Sequence, residues 1–308
     1  MHREQNDRES AGSTDPEYGI APPGYRLPAQ TRPGQVRLQV SDLEQSLAYY
    51  TRVLGLHVVS HAGGRAVLSA QGELRPLIEL YEHPGAAPVP ARGQLGLYHY
   101  AILLPDRAAL GRVLRHLLDL GIHPGASDHL VSEALYLHDP DGLGIELYAD
   151  RARSTWRHAA RELTMSTEPL DSRSVLAAAG GSAWSGMPAG TVMGHVHLHV
   201  RSIADATSFY HETLGFDRVV WSYPGALFMS AGGYHHHLGV NIWAGADARP
   251  APPDAARLLE WQIVVPTAAD VAAAAASLEA AGHALQRDGS TIVVTDAAGT
   301  SVRIRAEE

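Results

Sequence analysis

The chain has 308 residues, enough for two ordinary domains at roughly 150 residues each, and its 45% hydrophobic and 19% charged content excludes a wholly disordered or fibrous protein. Its 24 basic and 33 acidic residues leave a formal net charge of −9, which argues against a chain that tracks nucleic-acid phosphates or an anionic membrane. Cysteine is absent, so disulfide scaffolds, thiolate metal sites, iron–sulfur clusters and cysteine nucleophiles are excluded. Any metal chemistry falls to Asp, Glu and the 18 histidines.

Residues 1–32 are charged and then Gly/Pro-rich, and read as a disordered or extended tail. No run there suits a signal peptide, and no later stretch reaches about 18 apolar residues, so a cytoplasmic protein is expected. Val36, Leu38 and Val40 alternate as in a strand, a helical pattern follows, and Leu54-Gly55 stops it. A weaker copy runs from Tyr100 to Pro105, through a helix ending at Gly121, to the turn Asp139-Pro140-Asp141-Gly142. These two units fill residues 33–150. Residues 151–190 lack strand alternation, end rich in Ala, Gly and Ser, and read as a helical or irregular linker.

Residues 191–308 repeat the pattern. Val200 to Tyr210 and Leu214-Gly215 recur 160 positions after Val40 to Tyr50 and Leu54-Gly55, and Trp261 to Pro266, Gly282 and Asp296 to Gly299 echo the second unit. The chain is therefore an α+β protein of four βαβββ modules in two pairs, 33–150 and 191–308.

The modules, together with the phrases LYHYAILLPDR, SEALYLHDPDG, IELYADR-x-RSTW and MGHVHLHV, resemble the vicinal oxygen chelate superfamily (glyoxalase, bleomycin resistance and extradiol dioxygenase proteins), most closely its CatE-like catechol 2,3-dioxygenase group. The resemblance spans about residues 33 to 306 and implies cupped mixed sheets with helices outside, curled around a divalent metal. In that superfamily the ligands stand near the start of a module's first strand and on its last strand. The first-strand positions here are Gln35, His99, His195 and Glu260, and the last-strand positions are Glu79, Glu146, Asn241 and Arg303. If modules two and three face each other, the set is His99, Glu146 and His195, a two-histidine, one-carboxylate group of the kind used by Fe(II) oxygenases. If modules one and two pair, the set is Gln35, Glu79, His99 and Glu146, similar to glyoxalase I. His197 and His199, taken singly, read as surface or hydrogen-bonded residues.

The same resemblance implies a tyrosine and two histidines beside the metal. Tyr136 stands four residues before Pro140, His129 seven before Tyr136, and the run His235-His236-His237 supplies the third. His237 is favoured as the acid–base residue, with His236 next. The implied activity is ring cleavage of catechol or a substituted relative by O2 with Fe(II), Mn(II) being the second candidate. A metal-dependent lyase or isomerase on the Gln35 set and a non-catalytic drug-binding protein are the alternatives. No phosphate-binding loop or Gly-x-Ser-x-Gly elbow occurs, and oligomeric state is left open.

Overall fold

A computed structural model describes residues 18–307. Residues 1–17, the larger part of the expected tail, lie outside the described residues. Residues 18–31 run extended against the third module, where Arg26 pairs with Asp217 through two hydrogen bonds of 2.8 Å. Module one comprises β1 (Arg32–Val40), α1 (Leu43–Arg52), β2 (His57–Ala62), β3 (Arg65–Ser69) and β4 (Ile78–Glu82). Module two comprises β5 (Gln94–Leu103), α2 (Arg107–Asp119), β6 (Gly125–Asp128), β7 (Ser132–His138) and β8 (Gly144–Asp150). The expected linker holds a single 3-10 turn, a hairpin of β9 (His158–Ala159) and β10 (Glu162–Leu163), and helix α3 (Ser172–Ala178).

Module three has β11 (Val192–His199), α4 (Ile203–Ala206) continued as a π-helical stretch over Thr207–Thr213, β12 (Asp217–Val220), β13 (Ala226–Ser230) and β14 (Leu238–Asn241). A short β15 (Arg249–Pro250) precedes module four, which has β16 (Arg257–Val265), α5 (Ala268–Ala280), β17 (Gln286–Asp288), β18 (Thr291–Thr295) and β19 (Ser301–Ala306). The helices start where the sequence supplies caps: Asp42, Asp106 and Ser202 accept the N–H three residues on, and Thr267 with Asp270 forms a capping box.

The sheets do not follow the two halves of the chain. One runs β12-β13-β14-β11-β5-β8-β7-β6 and joins modules three and two, and the other runs β17-β18-β19-β16-β1-β4-β3-β2 and joins modules four and one. Each module's first strand leaves one edge free, and antiparallel pairing of β5 with β11 and of β1 with β16 satisfies it. Residues 33–150 thus supply one module to each sheet, as do residues 191–308.

Alternation assigns the faces. Val196 and Leu198 of β11, with Ile145 and Leu147 of β8, point into the main core beneath the helices, while His195 and His197, with Glu146 and Tyr148, point the other way. The repeat also shows in a buried polar pair: Tyr50 donates to Asp139 at 3.0 Å and Tyr210 donates to Asp296 at 2.8 Å. Each aspartate caps its own hairpin turn, Asp139 through the N–H groups of Asp141 and Leu143 and Asp296 through those of Ala298 and Thr300. The helix of one module is thereby tied to the last turn of the next.

Burial raises the Asp139 carboxyl from 3.8 to about 6, against the lowering effect of its hydrogen bonds. A carboxyl raised in the folded state binds more protons there than in the unfolded chain, so its contribution to stability falls as pH rises from about 4 to about 6. The expected loss over that window is roughly 3 kcal/mol. Urea unfolding of wild type and Asp139→Asn at pH 4, 5, 6 and 7 checks it: the wild-type-minus-variant stability should decline across the window and level off above it.

Candidate metal centre and active-site pocket

The concave face of the sheet built from modules two and three carries the functional side chains. β5 and β11 pair with His99 opposite His197, and β8 lies parallel to β5 with Glu146 beside Ala101. That register brings one carboxylate oxygen of Glu146 to 3.0 Å from His99 Nε2 and 3.2 Å from His195 Nε2. The three residues are buried, and among the described residues they form the group of three or more His, Asp or Glu whose donor atoms lie within 4.8 Å of one another. Next to His195, Gly194 leaves room for the Tyr148 hydroxyl, which a Cβ there would overlap.

Although burial opposes it, the His195 and His99 imidazoles hold the Glu146 carboxyl well below its ordinary value. Burial in turn pushes His195 down to about 4. At neutral pH the site therefore offers an ionised carboxylate and an uncharged His195 ring, the protonation states a divalent cation requires of its ligands. His99 Nε2, despite its closeness to Glu146, lacks a hydrogen-bond partner, and so does His195 Nδ1. A buried, orphaned ring nitrogen directed at a carboxylate is what a metal between them would satisfy. The donor set and its geometry fit a metal ion.

The equivalent positions of the other sheet do not. Glu79, fully buried, is bonded by Arg37 at 2.6 Å, by Gln35 at 3.1 Å and by Arg65. Glu260 is bonded by Arg303 at 2.6 Å and paired with Arg37 at 3.1 Å. Guanidinium groups occupy the space and supply the positive charge. Gln35 and Glu79 lie in one sheet and His99 and Glu146 in the other, so the alternative set Gln35, Glu79, His99 and Glu146 is not brought together.

A cavity of about 220 Å³ opens over the triad. Tyr136 is in it, and His129 Nε2 lies 2.6 Å from the Tyr136 hydroxyl while its Nδ1 lies 2.7 Å from the Ser166 carbonyl. The carbonyl can only accept, so His129 Nδ1 carries a proton and the ring is anchored through it. Burial, and next the Glu146 charge, push the Tyr136 phenol well above 10, so it remains a neutral donor. Of the histidine run, His236 lines the cavity, with its ring centroid 4.1 Å from that of His195.

His237, favoured from the sequence, does not line this cavity. Its Nδ1 accepts the Ala231 N–H at 3.2 Å, and the ring lines a separate cavity with Gln262 and Arg305. The run lies in the turn before β14 rather than in the strand, and alternation carries the one residue between His235 and His237 into the pocket.

His197 is hydrogen-bonded, as its neighbours imply: Asn241 donates to its Nε2 at 3.0 Å and accepts from His199 at 2.7 Å. Asn241 therefore braces rings rather than serving as a ligand. The walls that sequence reasoning missed are Tyr98, Tyr223, Phe228 and Trp243, with Met165, Ser166 and Thr167 from the expected linker. Their signal is weak because aromatic residues on strands read equally well as core, and the linker's part depends on a long-range contact, Thr167 with the Tyr223 hydroxyl at 2.8 Å.

The Glyoxalase/Bleomycin resistance protein/Dioxygenase superfamily matches residues 32–147 and 192–300, and the chain belongs to that superfamily. It is 44% identical over 269 residues to a catechol-2,3-dioxygenase of Bacillus subtilis (strain 168), covering 86% of this chain and 94% of that protein. It is 33% identical over 115 residues to biphenyl-2,3-diol 1,2-dioxygenase 3 of Rhodococcus globerulus, covering 37% of this chain and 60% of that one. Among solved structures, a provisionally named dioxygenase of Bacillus subtilis subsp. subtilis str. 168 superposes with a TM-score of 0.62 at 13% identity, over 92% of this chain and 86% of that one. Glyoxalase I of Zea mays superposes with a TM-score of 0.53 at 16% identity, over 89% and 92%. These superpositions show the shared fold. On its curated relatives the chain is an oxidoreductase of the extradiol dioxygenase type.

Metal analysis separates the two carboxylate sets. Glu146→Gln and His195→Ala should lower affinity for divalent metal by well over the roughly 10- to 100-fold typical of outer partners, whereas Glu79→Gln should keep wild-type metal content. Equal loss in all three would place the metal elsewhere.

Proposed function

We propose that the enzyme cleaves catechol, or a catechol with small uncharged substituents, by inserting both atoms of O2 beside the diol to give a hydroxymuconic semialdehyde type of product. The observation that carries this reading is the convergence of His99, Glu146 and His195 at the floor of an aromatic-walled pocket that also holds Tyr136, His129 and His236. The curated relatives named for catechol and biphenyl-diol cleavage support it.

His99, Glu146 and His195 would hold Fe(II), with Mn(II) as the second candidate, since a His2-carboxylate set does not by itself select between them. When bound, the metal supplies the Lewis acidity that lowers the pKa of a chelating diol and couples the electron-rich ring to O2. The remaining work falls to side chains. Burial and the neighbouring His195 ring hold His236 well below 6.5, so it is uncharged at neutral pH and able to take a diol proton at its free nitrogen and return it to a departing oxygen. Tyr136 donates a hydrogen bond where oxygen charge develops, and His129, fixed through Ser166, holds the phenol in place.

The pocket also limits the substrate. About 220 Å³ lies below the usual range for drug-sized ligands and suits one aromatic ring. No lysine or arginine lines it, while Glu146 places a carboxylate at its floor. A ring carboxylate would enter without a counter-charge.

Oxygen uptake with formation of a yellow product tests the reading. Catechol and methylcatechols should turn over with Fe(II)-loaded protein, and carboxylated catechols should have kcat/KM at least about 10-fold lower. His236→Ala should cost about 10²- to 10⁴-fold in kcat with metal retained. Metal-loaded protein that consumes no O2 with any catechol would overturn the proposal.

A further inference from the structure

Behind His236 a hydrogen-bonded chain leads away from the pocket. His236 Nδ1 lies 2.7 Å from His235 Nδ1, and His235 Nε2 lies 2.9 Å from the Asp150 carboxylate. His235 is fully buried, its ring tilted against Tyr234 at 4.1 Å and packed at 5.4 Å against Trp156. Asp150 stands at the end of β8, on the same face as Glu146, and opens to a second, charged crevice with Arg107, Glu133 and Arg157. It also accepts the Tyr234 hydroxyl at 3.1 Å, which is itself bonded at 2.7 Å to that of Tyr148.

The proton positions follow from the donor inventory. An ionised Asp150 only accepts, so His235 Nε2 carries hydrogen. With one proton on each ring, His235 Nδ1 is a lone pair. The facing His236 Nδ1 must then be the donor. That places the His236 proton on Nδ1 and leaves its Nε2, which takes no hydrogen bond from the described residues, as the bare nitrogen.

We propose that Asp150 and His235 are positioning residues that set the tautomer and orientation of His236, so that its basic nitrogen faces the substrate. The arrangement has the logic of an aspartate orienting a catalytic histidine, extended by one imidazole. The chain reaches the His236 ring from the side away from the pocket, through His235 to the Asp150 carboxylate. Neither residue lines the pocket, and His235 meets His195 only edge-on, with ring centroids 6.2 Å apart. The inference rests on His236 acting as the acid–base residue.

Two measurements test it. In the full chain, ¹⁵N-labelled at histidine and loaded with diamagnetic Zn(II), the His236 signal should be that of an Nδ1–H tautomer, and Asp150→Ala or His235→Ala should abolish that preference. An Nε2–H tautomer in the wild type, or no change in either variant, overturns the inference whatever the activity. In catechol turnover, Asp150→Ala and His235→Ala should lower kcat by about 10-fold or more and leave KM for catechol within about 3-fold. Asp150→Glu should recover part of the loss and Asp150→Asn should not. In a His236→Ala background, Asp150→Ala should cause no further loss, because its effect passes through that ring. Equal loss in both backgrounds indicates a merely structural role and overturns the inference. A wild type that does not cleave catechol overturns the reading of His236 itself, and the tautomer measurement still decides whether Asp150 and His235 orient it.

Discussion

The antiparallel pairing of β5 with β11 is the constraint on which the site depends. It joins strands roughly ninety residues apart in the chain and lays His99 and His195 on one concave face, with Glu146 delivered by the parallel neighbour β8. A slip of one residue on either strand would turn its histidine into the core and a valine or tyrosine outward, so register here is specified as strongly by burial as by chemistry. The main core beneath, with Tyr100, Val196, Ile145 and Leu147 all buried, enforces the face that the histidines must occupy.

The two sheets show how one scaffold can leave a buried carboxylate open to a metal or close it with the chain's own charge. Both offer a buried carboxylate on a last strand beside a first-strand position. In one the carboxylate meets imidazoles with unpartnered nitrogens, and in the other it meets arginines that already neutralise it. An isolated buried carboxylate is too costly in either case. The difference lies in whether the compensating charge is part of the chain.

The segment between the halves is more than a connection. Its hairpin and the residues after it supply Met165, Ser166 and Thr167 to the pocket, and Ser166 anchors the His129 ring through its carbonyl. Trp156, from the same segment, packs on His235. The parts that orient protons are thus assembled from module two, module three and the stretch between them, and the charged crevice at Asp150 lies at their junction.

Much of this was legible in the sequence. The repeat, the four βαβββ modules and the stop at each Leu-Gly follow from local periodicity and an internal offset, which short-range physics sets, whereas the positions His99, Glu146 and His195 were legible only through the family resemblance laid on that register. Tyr136 and His129, seven residues apart, were also legible as candidates, and the fold brings them to 2.6 Å. The tertiary structure alone decided which modules share a sheet, since either pairing buries the same apolar faces. It alone placed His236 rather than His237 at the pocket, because the run sits in a turn whose path depends on neighbours far along the chain. Asp150 and the aromatic walls were illegible for the same reason: a surface-seeming carboxylate or a strand aromatic acquires its role only from what a distant segment places against it.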